Sequence, residues 1–236
     1  MTTRWSGPRL AAAAVLAAWA VLFWALVATG RTGLYLSART AWLVPLGAGL
    51  MTVAAVGRLA TARTTHDERL GDRDRWLVAA VALPVVLLLA LPTTTLGAFA
   101  AGRRATFSGG GGLITPDDFE HGPLTMVHVA AAQGGGENLS RLRSRAGEEV
   151  TLDGFVVRNP DTPPDELLLT RFIVTCCVAD ATTAQVRVVN VPPGRYDEGD
   201  WIEVSGRIFP VARQVLVAAG GIERIPPPDS PYLTVF

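Results

Sequence analysis

Val150-Thr-Leu-Asp-Gly-Phe-Val-Val157 is an extended segment with a glycine set into it. Val150, Leu152 and Val156 share one face at the two-residue period of a strand, and Gly154 interrupts that face. A glycine inside a strand marks a bend or bulge, as at the corner of a small barrel. The device recurs in Trp201-Ile-Glu-Val-Ser-Gly-Arg-Ile-Phe209, where Ile202, Val204 and Ile208 alternate inward and Gly206 supplies the bend. Asp197-Glu-Gly-Asp200 is the turn into it. Between the two lie a long run from Glu166 to Ala179 and a shorter one from Gln185 to Val191. A fifth runs from Gln214 to Ile225. Five strands with bends in the first and fourth predict a small all-β, OB-like barrel.

Upstream of the strands, Thr115-Pro-Asp-Asp118 is a helix start, with Thr115 as cap and Pro116 at the first helical position. A short preceding helix is expected from Pro116 to Ala132, ending at Gly134-Gly-Gly136. Ser108-Gly-Gly-Gly-Gly112 reads as a flexible connector. The barrel domain is therefore placed at 115–236 and a Gly-rich linker at 106–114.

Residues 1–105 have another character. Leu10 to Thr29 is twenty residues without a charge, about 30 Å of helix and the thickness of a bilayer core. A second uncharged run extends from Thr40 to Gly57, and a third from Trp76 to Leu91 with Pro92 closing it. The expectation is an α-helical membrane anchor of three spans, at about 10–29, 40–57 and 76–92. Arg4 and Arg9 before the first span also suit a signal peptide. A run of twenty exceeds the usual apolar core of one, and more apolar segments follow, so a retained anchor is expected.

The 236 residues carry 21 basic and 21 acidic side chains, and every basic one is arginine. Through Ala105 there are 11 arginines and 4 acids, +7; from Thr106 there are 10 and 17, −7. The low charge content, 18%, belongs to the apolar spans. Arginine counts orient them. Arg4, Arg9, Arg58, Arg63, Arg69, Arg73 and Arg75 make seven on one side; Arg31, Arg39, Arg103 and Arg104 make four on the other. That predicts a plasma-membrane protein with a cytoplasmic N-terminus and an extracytoplasmic barrel. An acidic barrel is unsuited to nucleic acid, which needs a basic groove.

Cys176-Cys177 followed by Asp180 is the one cluster inviting sharp chemistry. In a continuous strand, neighbouring side chains point to opposite faces. Cys176 would then lie with Phe172, Val174 and Val178 as a small core residue, and Cys177 with Arg171 and Thr175. Thiolates are soft ligands for zinc or copper, and Asp180 or a histidine would complete a site if the strand bulged. A vicinal disulfide is the remaining reading. His121 and His128, two turns apart, are expected on the surface of the short helix. Arg171 is expected in an ion pair with Asp180 or Asp153. Gly-x-Ser-x-Gly and Gly-Lys-Ser/Thr motifs are missing, so an enzyme is not expected. The spans hold no charge, so they make no ion path of their own. Trp19, Phe23 and Trp24 suit lipid or partner helices, and Gly47 and Gly49 allow close helix contact.

Gly154-Phe-Val-Val157, Arg171-Phe-Ile-Val-Thr-Cys-Cys-Val-Ala-Asp-Ala181, Asp200-Trp-Ile-Glu-Val-Ser-Gly206 and Pro231-Tyr232 together resemble the YcgQ-like family of permease subunits. The resemblance covers nearly the whole chain. It implies an accessory subunit beside a separate multi-spanning permease, and it carries a suggested link to zinc homeostasis. The alternatives are a zinc-binding and delivery domain using Cys176, Cys177 and Asp180, or an envelope module that binds other proteins.

Overall fold

The computed structural model describes residues 4–64, 71–90, 96–104, 116–133, 135–212 and 214–234. They fall into two units, Met1–Thr94 and Thr95–Phe236.

In the first unit, helix α1 runs Gly7–Ala28 and α2 runs Leu43–Ala60. Ser6 caps α1, its side chain accepting from the Arg9 N–H at 3.4 Å, and Pro8 sits in the first turn, where a missing N–H is harmless. A two-residue ladder, Arg4–Trp5 against Arg63–Thr64, and the Ser6 N–H to Ala62 carbonyl bond tie the start of α1 to the end of α2. Phe23 seats against Gly47, where an added Cβ would be 3.4 Å from its ring. The Trp24 indole donates to Thr52 Oγ1 at 3.2 Å. Both helices are long and apolar enough to cross a bilayer, with mean hydropathies of 2.4 and 1.6.

The third expected span is described only in part. Helix α3 covers Asp72–Ala90, but its first four residues are all charged. Its described apolar part, 76 to 90, is fifteen residues, about 22 Å of helix. Leu91 and Pro92 lie outside the described residues. Two apolar helices are thus present, and a third span is not established.

The second unit opens earlier in the chain than the expected boundary at 105. Helix α4, Ala98–Ala101, belongs to it. The Gly-rich linker and the Thr115 cap lie outside the described residues. Instead of one helix to Ala132 there are two, α5 (Pro116–His121) and α6 (Met126–Gln133). Gly122-Pro123 causes the break, because proline cannot donate into a helix and turns its predecessor away from the helical region. Helix α7, Gly136–Ser144, is additional, burying Leu139 and Leu142.

The strands are β1 (Glu149–Val157), β2 (Glu166–Val174), β3 (Thr182–Val189), β4 (Trp201–Val211), β5 (Gln214–Arg224) and a short β6 (Tyr232–Thr234). Their order β1-β4-β5-β3-β2 closes through β1–β2, and β6 lies parallel to the end of β2. All neighbours in the ring are antiparallel except β3 and β5, which run parallel from Arg187–Leu216 to Val189–Ala218. The result is a closed five-stranded barrel.

Both glycine bends are where the ring needs them. β1 pairs with β4 from Glu149 to Phe155 and with β2 from Phe155 onward, so Gly154 sits where the strand changes partner. A Cβ there would stand 2.7 Å from the Thr170 carbonyl oxygen. At Gly206 the β4–β5 register shifts, and a Cβ would stand 2.2 Å from the Ala218 carbonyl oxygen.

Val150, Leu152, Val156, Ile202, Val204 and Ile208 all line the barrel core, as their alternation predicts. The core is completed by α6, whose Val129, Ala130, Ala131 and Ala132 are fully buried. The Gln133 side-chain amide bonds the Gln185 backbone carbonyl and N–H. It thereby occupies the edge of β3 that β5 has not yet reached. A second cluster sits outside the ring. Phe155, Val157, Phe172, Val174, Ala181 and Tyr232 are covered there by Leu96, Ala98, Ala100 and Ala101.

A cysteine–cysteine–aspartate site where β2 ends

The continuous ladder of β2 ends before the cysteines, and Cys177 keeps only an isolated bridge. β2 stops at Val174, five residues short of the expected end at Ala179, and a bend leads into a single 3-10 turn at Val178–Asp180. The cause is Asp180. Its carboxylate accepts from the backbone N–H groups of Thr175 (3.0 Å), Cys176 (2.8 Å) and Cys177 (3.4 Å). Its own N–H donates to the Cys177 carbonyl at 3.0 Å. A short acidic side chain that offers acceptors to local N–H groups competes with the sheet ladder and here replaces it.

This overturns the expectation that Cys176 is a buried core residue. Cys176 is exposed and Cys177 half-buried. Because they no longer sit in a pleated strand, they need not face opposite ways, and the two sulfurs are 3.7 Å apart. Both lie with a carboxylate oxygen of Asp180 inside a cluster 4.8 Å across. Cys176, Cys177 and Asp180 are therefore brought together on one side of the turn.

Electrostatics follow from the contacts. The Cys176 thiol donates to Asp180, and proton loss would set a thiolate beside a carboxylate and the second sulfur. Its pKa is accordingly raised to about 11. For Asp180, partial burial pushes the pKa up. The hydrogen bonds from the Cys176 thiol and the N–H groups of Cys176, Thr175 and Cys177 outweigh it and hold the carboxyl below its ordinary value. The resting site is a neutral thiol hydrogen-bonded to a carboxylate anion.

The donor set suits a soft or borderline divalent cation. With Zn–S bonds of about 2.3 Å and tetrahedral angles, two thiolate sulfurs are separated by about 3.8 Å. The observed 3.7 Å already meets that bite. Cys176, Cys177 and Asp180 would hold the ion and leave a fourth position open.

Arg104 is the site residue that the sequence reading missed. One guanidinium nitrogen donates to the carbonyls of Ala179 (2.9 Å) and Ala181 (3.1 Å), on either side of Asp180. The contact spans more than seventy positions, and no local pattern announces it.

The remaining candidates are accounted for elsewhere. Arg171 pairs with Asp153, not Asp180; it also donates to the Ser230 carbonyl at 2.9 Å and lies over the Trp201 ring. Burial pushes its pKa down, opposed by Asp153. His121 is exposed beside Asp117, as expected. His128 is buried, contrary to expectation. Its Nδ1 takes the Thr125 N–H at 3.1 Å at the start of α6, and its ring meets Phe119 edge-on. A cleft of about 440 Å³ is lined by Gln133, Gln185, Arg187 and Gln214 among others. Within it Gln133 is engaged with Gln185 and Arg187 with Glu166.

Two apolar helices compatible with membrane anchoring, followed by a closed five-stranded barrel, define the class of architecture. Residues 140–234 match the family described as the DUF1980 C-terminal domain. The match contains all six strands and Cys176, Cys177 and Asp180. No curated protein and no solved structure matches the chain.

Proposed function

We propose that the protein is an accessory subunit of a membrane permease. Its helices dock on a separate multi-spanning transporter, and its barrel, of OB-like strand order, serves the outer mouth. With α3 and the residues after it counted as a third span, the arginine counts put the N-terminus in the cytoplasm and the barrel outside. The YcgQ-like resemblance is compatible with the DUF1980 match and supports the same role. The observation that carries the reading is the state of the helices. α1 and α2 leave large apolar side chains open, Val21 at 69% and Val53 at 73%, while their apolar stretches hold no charge with which to form a path. Gentle detergent extraction from native membranes and affinity isolation should recover a polytopic protein at fixed stoichiometry. Recovery of the chain without one refutes the role.

A second reading is favoured by the convergence of Cys176, Cys177 and Asp180 within 4.8 Å. Here the barrel binds zinc and presents it to the permease. An open fourth position suits transfer better than storage, since closed four-ligand sites are the structural kind. Ligation must release the Cys176 proton, so affinity should climb steeply with pH. Zinc titration of the full chain against Cys177→Ser decides it: equal, weak binding by both removes the site.

A further inference from the structure

Leu96–Arg104 follows the third apolar segment in the chain and lies across the outer face of the barrel. Its Leu96 N–H donates to the Tyr232 hydroxyl at 3.1 Å. Ala101, 3% exposed, packs in one cluster with Ala181, also 3% exposed. Arg104 then reaches the carbonyls on both sides of Asp180. The segment and the cysteine turn thus share a buried apolar contact and two charge-assisted hydrogen bonds.

We infer that Arg104 is a positioning residue that couples the Cys176–Cys177–Asp180 site to the docking of Leu96–Arg104 on the barrel. The physical reason lies in how Asp180 is used. At rest its oxygens serve three backbone N–H groups, and those bonds shape the turn whose carbonyls Arg104 holds. Chemistry at the site has to draw on the same atoms. A cation takes a carboxylate oxygen, and a modified thiol loses its bond to it. Either way the turn relaxes, the Ala179 and Ala181 carbonyls reorient, and Arg104 loses its seat. Ala101 and Leu96 are left with a smaller apolar contact, and the segment lifts. By reciprocity, removing Arg104 loosens the turn and opens the thiols. Two local states of one segment, each biased from either end, are the physical content of the coupling. The inference rests on the metal reading only for the natural trigger, so the coupling is tested without metal as well.

The test is amide hydrogen exchange of the full chain in lipid nanodiscs, with β4 and β5 as the internal measure of folding. Asp180→Ala, and separately wild-type protein with its thiols blocked by methyl methanethiosulfonate, should speed exchange at Leu96–Arg104 by about tenfold or more. Arg104→Gln should speed exchange at Thr175–Asp180 by about fivefold or more and raise the blocking rate of half-buried Cys177 at constant pH. Arg104→Lys, keeping a donor, should recover part of both. Unchanged exchange at Leu96–Arg104 in Asp180→Ala or in the blocked protein, or an unchanged turn in Arg104→Gln, overturns the coupling. If a variant loses protection in β4 and β5, the blocked wild-type protein alone decides. Cadmium as the metal probe separates the two ideas. Binding without a change at Leu96–Arg104 sinks the coupling, and failure to bind sinks the metal reading while the metal-free arms still decide.

Discussion

Replacing Asp180 by asparagine should change the chemistry of Cys176 in a way that reverses sign with pH. Work in a Cys177→Ser background leaves one thiol to report, with the serine hydroxyl standing in for the second sulfur. The wild-type thiol is held at about 11, first by its hydrogen bond to Asp180 and next by Cys177, whose place the serine takes; Asp180→Asn removes the larger cause and returns it toward the ordinary 9.0. At pH 8 that change raises the thiolate fraction from roughly one in a thousand to one in ten. Nucleophilicity falls with pKa, however, at a Brønsted slope of about 0.4–0.5, so each thiolate becomes roughly six- to tenfold less reactive. The net expectation is alkylation about tenfold faster in Asp180→Asn at pH 8, with the two profiles crossing near about pH 10 and the parent faster above it. Iodoacetamide labelling of the full chain, read by intact mass from pH 7 to 10.5, gives both curves. Profiles with the same midpoint that never cross would refute the hydrogen-bonded thiol.

Gly206→Ala should lower the barrel's melting temperature by roughly 10 °C, because a Cβ 2.2 Å from a carbonyl oxygen forces β4 and β5 apart and breaks ladder bonds worth about 2–4 kcal/mol. Gly221→Ala, with no atom within 4 Å of its Cβ, should stay within about 2 °C, and equal shifts for the two would contradict the bulge. Arg171→Ala strands Asp153 and should cost about 2–4 kcal/mol, less than a fully buried pair because Asp153 is 40% exposed. The double change Arg171→Met, Asp153→Leu should recover most of that in the same thermal melts. Glu148 is held below its ordinary 4.5 chiefly by its hydrogen bond to Arg145. Its contribution is full above that pH and is lost as pH falls through the folded value. The melting difference between wild type and Glu148→Gln should therefore shrink in acid, and a constant difference from pH 7 to 3 would argue against the Arg145 pair.

The barrel was legible where side chains alternate against a continuous partner. β1 and β4 announce themselves through Val150, Leu152, Val156, Ile202, Val204 and Ile208, and Gly154 and Gly206 mark the corners, because the steric demand of a corner falls on one residue. The helices before β1 were less so. Gly122-Pro123 stood in plain view, but an apolar run through Val127–Ala132 masked the break. Leu139 and Leu142 are too few to mark α7 in a polar nine-residue segment. Contacts made by Arg104 and Gln133 over long separations leave no periodic trace.

The site itself turned on where β2 stops. Phe172 to Val178 keeps the alternation of a strand, and hydrophobic period cannot register that a carboxylate further on will claim the backbone N–H groups of Thr175, Cys176 and Cys177. Two adjacent cysteines in a strand can never share a face; ending the strand is the condition for their meeting. Asp180 is therefore more than a third candidate ligand. It is the residue that ends the sheet, turns both thiols to one side and keeps one of them protonated. Any chemistry that recruits its carboxylate must also dismantle the turn that built the site.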